Sequence, residues 1–369
     1  MTDNMTYSKS GVDYKVMDVL KRLAQKAGKN TAINLTTHNL KEIDASRGES
    51  AYVIESDDCY FAFVQEGLGT KNLIADQMSI ITGKSYYDLI AQDTVAMIVN
   101  DLITVGAKPV TVLAYWAPGS SEWFNNKKRM EDLVSGWKSA CDLSGVSWGG
   151  GETPTLSGII EKNTIDLAGS AFGIIKPKSR LVLGNKLQAG DVIVAFESSG
   201  IHSNGISLAR KIAEKLSDGY TTKLSSGQTY GEALLIPTTI YAKLVNDLLD
   251  NEVDIHYMAN ITGHGWRKIM RATQPFTYRI TSLPPTPEIF TFIAEKGPVT
   301  TEEMYANFNM GAGFVIFVPQ SLVAKVQKIS SNRNIKTYEI GRVESGEKQV
   351  IIEPNKITYK AESLQLKAS

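Results

Sequence analysis

Apolar residues recur every three or four positions in some stretches of the chain and every second position in others, and these two periods predict its elements. Val16, Leu20, Leu23 and Ala27 share one helical face between Asp13, a capping residue, and Gly28, a stop. Residues 29–50 are polar and mixed and read as an irregular arm. Residues 51–64 then read as strand, YYDLIAQDTVAMIVNDLITVG as a helix ended by Gly106, and VTVLAYWA as strand. In KKRMEDLVSGWKSACDLSG, Met130, Leu133, Val134, Trp137, Ala140 and Cys141 keep helical spacing up to Gly145. VSWGGGETPTLSG reads as a glycine-rich loop, and TIDLAGSAFGII alternates as a strand does. KPKSRLVLGNKLQ has the character of a connection, which places a boundary near residues 175–185.

Beyond it, DVIVAFE predicts a strand, SSGIHSNG a loop, and Ile206, Ala209, Ile212, Ala213 and Leu216 a helix. TTIYAKLVNDLLD predicts another helix, and ANITGHG a loop that opens one more. Thr300 and Glu303 have the spacing of a capping box. GFVIFVP, KTYEIGRV and QVIIEP supply strands. The expected organisation is an N-terminal helix and irregular arm over 1–50, one unit over 51–178, a second over 179–355 and a tail over 356–369. Strands and helices mix in both units, an α/β chain of α+β type.

With 369 residues the chain exceeds the roughly 250–300 at which one core splits, in keeping with two domains. Lys plus Arg and Asp plus Glu number 39 each with no long run of either sign, which argues against nucleic acid or a membrane surface as partner. Cys59 and Cys141 fall in a predicted strand and on a predicted apolar helix face, where they read as buried small hydrophobes. No window approaches the ~18 apolar residues of a membrane span, and a reduced cytoplasmic protein is expected.

AFVQEGLGTKNLI places Glu66, Gly67, Gly69, Thr70 and Lys71 after an apolar run. Two glycines admit an anion to the backbone and a lysine stands beside them, yet neither nucleotide-loop fingerprint is present, and locally a surface turn is the stronger reading. Asp93 and Asn100 lie within about 20° of each other on a helix, with Asp101 a quarter turn further round. Such oxygens suit Mg²⁺, and the alternative is a solvated polar face that Ala96 and Met97 make less natural. Glu152 in GGGET is either a carboxylate aimed into a cleft or an exposed acid on a turn. In SSGIHSNG, Ser203, Asn204 and Gly205 precede a helix and can hold an anion, with His202 beside it as donor or proton carrier. NITGHG repeats the arrangement with Thr262, Gly263 and His264. No Gly-x-Ser-x-Gly, Cys/His or HExxH pattern supports covalent hydrolysis or zinc chemistry. Glycine loops before helices with scattered carboxylates are the equipment of phosphate-bearing substrates with Mg²⁺.

YSKSGVD, EGLGTK, DTVAMIVNDLITVGAKP, GGGET, SSGIHSNGISLARK, LLIPTTIY, NITGHGW and MYANFNMGAGFVI together resemble, in order, the aminoimidazole ribonucleotide synthetases, also called phosphoribosylformylglycinamidine cyclo-ligases. The resemblance implies an N-terminal sheet domain that dimerises with its counterpart and a C-terminal mixed-sheet domain. It also implies ATP, Mg²⁺ and a ribonucleotide substrate. It assigns Glu66, Gly67, Gly69, Thr70 and Lys71 to the ATP and Mg²⁺ region, Asp93, Asn100 and Asp101 to the family's acidic helix, and Glu152, His202 and Asn204 to its cleft loops.

The implied reaction converts formylglycinamidine ribonucleotide and ATP to aminoimidazole ribonucleotide, ADP and phosphate. Lys71 and Mg²⁺ offset charge on the phosphoryl group in this reading, and His202 handles a proton or oxyanion. The chain departs from the family pattern at Gln65 and Glu66, where the family has Thr-Asp, and at Ser8, where it has Lys. A glycine-rich segment is missing before the first strand. The family's histidine falls at Asn260, and His264 stands where it has glycine, so His264 is expected to take over that histidine's work. The alternatives are another ATP-using member with a different acceptor, or a silent paralogue acting as a binding partner.

Overall fold

Strand periodicity builds a first, six-stranded sheet from β1 (Lys41–Glu42), β2 (Tyr52–Glu55), β3 (Tyr60–Gly67), β4 (Lys108–Pro118), β5 (Ser147–Glu152) and β6 (Ile165–Ile175), in the order β1-β2-β3-β6-β4-β5. The computed structural model describes residues 14–364 and 366. The opening motif YSKSGVD, with Ser8 and the cap Asp13, lies outside them. Along β6 buried residues alternate with more exposed ones, so one sheet face packs on helices and the other does not. The packed face carries α3 (Tyr87–Leu102), against which α4 (Lys127–Ser144) lies. The other face shows Phe63 and Val110, each 40% exposed, and Leu113, with the Phe172 ring tilted against Phe63 at a centroid distance of 5.3 Å.

The second sheet has seven strands, β7 (Val192–Glu197), β8 (Tyr257–Asn260), β9 (Phe276–Ile280), β10 (Ala312–Val318), β11 (Thr337–Ser345), β12 (Gln349–Ile352) and β13 (Ile357–Lys360). Their order is β13-β12-β9-β11-β7-β10-β8, antiparallel except for β12 beside β9. β10, between β7 and the edge strand β8, is buried at every position, as a strand covered on both faces must be. Around it are α5 (Ile206–Ala213), α6 (Tyr230–Leu234), α7 (Ala242–Asp250), α8 (Glu288–Lys296), α9 (Thr301–Asn307) and α10 (Val323–Ser331).

Several expectations are corrected. The first helix, α1 (Tyr14–Thr31), runs through Gly28, where the missing side chain admits the Arg47 guanidinium 3.0 Å from the position a Cβ would take. Its apolar residues face outward, with Leu20 70% exposed, while Asp18 is buried. The arm over 29–50 is built of three-ten turns and β1. Residues 51–64 are a hairpin turned at Ser56–Cys59, and α2 (Asn72–Thr82) follows the EGLGTK loop directly. SWGGGE is the edge strand β5, parallel to β4, and the expected tail contains β13. The helix expected from TTIYAKLVNDLLD begins only at Ala242, and ANITGHG opens a six-residue three-ten helix, Gly265–Met270. Thr300 caps its helix through Glu303 N–H, whereas the reciprocal capping box forms at Thr229 and Glu232. Cys59 and Cys141 are free and buried, and among the described residues no helix is long and apolar enough to cross a membrane.

Candidate active site

Alternation along β3 turns Ala62 and Val64 to the packed face, and the same parity carries Glu66, at the strand's end, toward α3. There it meets Asp101 in the last turn of α3. Burial, and then the Asp101 charge, push the Glu66 carboxyl up to about 7, against the pull of Lys268 and Arg271. Asp101 Oδ1 accepts 2.7 Å from Asn260 Nδ2 at the end of β8, so the second sheet contributes directly to this carboxylate pair. Two residues on, Thr262 Oγ1 accepts from the buried ammonium of Lys268. Lys268 escapes the sequence reading. Its signal is a lysine within WRKIM, where Trp266, Ile269 and Met270 are all buried.

The EGLGTK loop runs on from Glu66 to the start of α2. Gly69 takes φ +77 with open space where a Cβ would stand, and the Thr70 hydroxyl is buried with no hydrogen-bond partner. A left-handed glycine with free approach to its backbone, an unspent hydroxyl and two adjacent carboxylates fit a phosphate chain with a divalent cation. The fit is to a cation shared between carboxylates and phosphate oxygens. Among the described residues no three His, Cys, Asp or Glu side chains gather as a metal cage.

Asp93, Asn100 and Lys71 are placed differently from expectation. Lys71 and Asp93 are both 0% exposed and pair at 2.8 Å, and Lys71 also donates 2.9 Å to Ile236 O. Burial pushes the carboxyl up and the ammonium down, while their attraction opposes both shifts. Asp93 Oδ1 accepts from Thr238 N at 2.8 Å and from the Thr238 hydroxyl. Asn100 donates 2.8 Å to Thr239 O and accepts 2.9 Å from Tyr241 N, and Gln92 donates 3.0 Å to Thr238 O. The polar stripe of α3 therefore satisfies the backbone of the extended segment 236–241, which has no strand neighbour to do so. It fastens the two halves of the molecule together and, in this structure, pairs the Asp93 carboxylate with the Lys71 ammonium.

The same segment holds the SSGIHSNG loop. Ser199 Oγ donates 2.6 Å to Pro237 O, and the Ser203 and Thr238 hydroxyls lie 3.4 Å apart. Asn204 lies against Met97, and Gly205, at φ +74, caps α5 where any Cβ would collide with Phe308. His202 is buried with Nε2 accepting from Ser199 N at 3.3 Å; burial, then Lys71, hold its pKa down to about 3. In this structure it braces the loop through the Ser199 N–H.

His264 does not reach the Asn260 partner either. Its Nε2 lies 3.4 Å from Asp18 Oδ2 on α1, and burial with the charges of Arg267, Lys268, Lys21 and Arg271 holds its pKa down to about 2. Its φ of 68 explains why a glycine would suit the position. Gly263 and Thr262 shape the turn between β8 and the three-ten helix, closed by Gly265 N–H to Thr262 O at 3.0 Å. Glu152 is exposed on edge strand β5 and does not join Glu66 and Asp101 in a cluster of three. A cavity of 1070 Å³ opens beside α2, lined by Asp76, Gln77, Trp123, Arg129 and Arg210 among others, but none of Glu66, Asp101, Thr262 and Lys268 lines it.

Residues 48–175 match the family described as AIR synthase related protein, N-terminal domain, and residues 188–353 its C-terminal domain. A phosphoribosylformylglycinamidine cyclo-ligase of Carboxydothermus hydrogenoformans is 37% identical over 360 residues, covering 95% of this chain and 99% of that protein. One of Methanocaldococcus jannaschii is 35% identical over 360 residues, covering 97% and 96%. Among solved structures, AaThiL complexed with AMPPCP and TMP superposes with TM-score 0.59 at 17% identity, over 85% of this chain and 90% of that one. T. maritima PurL complexed with FGAR superposes with TM-score 0.57 at 15% identity, over 87% and 48%. These two likenesses show the fold.

Proposed function

The chain belongs to the AIR synthase related family, and from that premise we propose that it is an ATP-dependent cyclo-ligase, closing formylglycinamidine ribonucleotide to aminoimidazole ribonucleotide in purine biosynthesis. The observation that carries the proposal is near-full-length identity with two cyclo-ligases, joined to a carboxylate pair at a loop with an unspent hydroxyl. In the reaction the formamide oxygen attacks the γ-phosphorus and ADP leaves. An amidine nitrogen then attacks the former formamide carbon, the ring closes, and phosphate departs with that oxygen.

Glu66 and Asp101 are the residues we assign to Mg²⁺, which when bound neutralises charge on the transferring phosphoryl group. The backbone around Gly69 and the Thr70 hydroxyl orient phosphate oxygens. Asn260 fixes the Asp101 rotamer, and the strut at 236–241 keeps the SSGIHSNG loop, with Ser203 and Asn204, at a set distance from EGLGTK. His202, neutral and enclosed, holds that loop's shape and carries no proton.

The open face of the first sheet supports a homodimer: Phe63, Val110 and Leu113 are too exposed for an isolated surface, and a groove of 460 Å³ runs along Tyr52, Phe63, Leu113 and Phe172. A cytoplasmic location follows from the proposed ribonucleotide substrate. To test the function, the protein is incubated with formylglycinamidine ribonucleotide, MgATP and buffer, and the aminoimidazole product and ADP are followed together. Equal formation of both is expected. ADP without the aminoimidazole would transfer the proposal to another acceptor, and neither product would leave a binding protein.

A further inference from the structure

Among the described residues two lysines are buried, Lys71 at 0% and Lys268 at 6% exposure. Their partners differ in kind. Lys71 is neutralised by Asp93 and donates also to Ile236 O. Among the described residues Lys268 has a single hydrogen-bond partner, the neutral hydroxyl of Thr262. An ammonium carries three donors, so two of those on Lys268 are unspent in a place where water is scarce. Burial works against its charge and holds its pKa below the ordinary lysine value, while the fields of Asp101 and Glu66 pull the other way without either carboxylate, among the described residues, pairing with it directly.

The two guanidinium groups nearby are each tied at all three of their nitrogens. Arg271 is spent on Gly48 O, the Ser50 hydroxyl and Glu49. Arg267 donates to His264 O, Ser363 O and Ala306 O. Lys268 thus brings unspent positive donors to the turn that holds Asp101 through Asn260. The missing complement is a group with several anionic oxygens, able to satisfy the ammonium and share a cation with the two carboxylates.

Resting on the cyclo-ligase reading, we propose that Lys268 is a catalytic residue of this chain, donating to the transferring end of the ATP triphosphate, a part that sequence alone gives to Lys71. Thr262 holds the ammonium ready, and the ammonium offsets the charge that Glu66 and Asp101 would otherwise turn against the phosphate.

The test compares binding of MgATP, MgADP and AMP by calorimetry to the parent, Lys268→Met, Lys268→Arg and Lys71→Met. Charge-assisted hydrogen bonds of this kind correspond to about a 10- to 100-fold change in affinity. Lys268→Met is therefore expected to weaken MgATP by at least about tenfold while leaving AMP unchanged, with AMP binding serving as the check that the variant is folded. Lys268→Arg should recover part of the loss. Lys71→Met should lower the melting temperature and leave the ratio of MgATP to AMP affinity as in the parent. Should Lys268→Met not fold, Thr262→Val gives the same reading in weaker form, a loss of several-fold for MgATP with AMP unchanged. A parental ratio in Lys268→Met, or in Thr262→Val where that variant stands in, overturns the assignment to Lys268 alone. A parent that binds no MgATP overturns the cyclo-ligase reading with it.

Discussion

Asp93 shows how a residue's chemistry is decided by what reaches it. On a helix wheel it is a free carboxylate beside an amide; in the fold it is the counter-ion of Lys71 and the acceptor for Thr238. Removing one member of a buried pair leaves the other charge without compensation, at a cost of about 3–5 kcal/mol. Asp93→Asn is accordingly predicted to lower unfolding stability by that order in urea titration; an unchanged midpoint with weakened MgATP binding would return Asp93 to the cation. Histidines give a pH signature. His202 is held down to about 3 and His264 to about 2, so below the ordinary value near 6.5 the unfolded chain binds protons that the folded one refuses. Stability therefore falls as pH drops from 6.5 toward 3, by up to about 1.4 kcal/mol per pH unit for each histidine. His202→Asn, which tolerates the positive φ, should flatten the acid side of a melting-temperature profile relative to the parent. Superimposable profiles would contradict the neutral brace.

At the scale of elements, α3 is buried on all sides because it lies between the first sheet and the segment 236–241. Its apolar side packs on β3 and β6, and Gln92, Asp93 and Asn100 serve the segment's backbone. Asn100→Ala leaves Tyr241 N–H and Thr239 C=O without partners, a predicted loss of about 1–3 kcal/mol read from thermal or chemical unfolding. A loss under about 0.5 kcal/mol would mean that the strut is not holding. Elements whose own pattern is long and regular, such as α3, α4, β4 and β6, were legible in the sequence. β5 was not, because Gly149, Gly150 and Gly151 carry no side-chain pattern and their strand exists only by pairing with β4. The short hairpin β2–β3 read as one strand because its turn, Ser56–Cys59, contains neither glycine nor proline. In the proposed site, Glu66 draws notice from its motif and Asp101 from its place on the helix. The diversion of Lys71 and Asp93 was not legible, since it depends on Ile236 and Thr238, which only the folded chain brings to them. α1 misled for a related reason: periodicity finds an apolar face but not what covers it.

For the whole molecule, the two sheets meet through α3 and the strut, and the carboxylate pair draws one carboxylate from β3, one from α3 and its fixing amide from β8. The outer face of the first sheet carries the proposed dimer. Leu113→Asp combined with Phe63→Asp is predicted to give a monomer by light scattering at micromolar concentration, with the parent twice that mass; a monomeric parent would remove the dimer. The central claim is that this site activates a formamide oxygen by phosphoryl transfer before closing a ring. Its most direct measurement uses formylglycinamidine ribonucleotide carrying heavy oxygen in the formyl group, incubated with MgATP and the protein, with the released phosphate read by mass spectrometry. The account predicts that each phosphate formed with aminoimidazole ribonucleotide carries the heavy oxygen. Phosphate released with no label, while ADP accumulates, would contradict it.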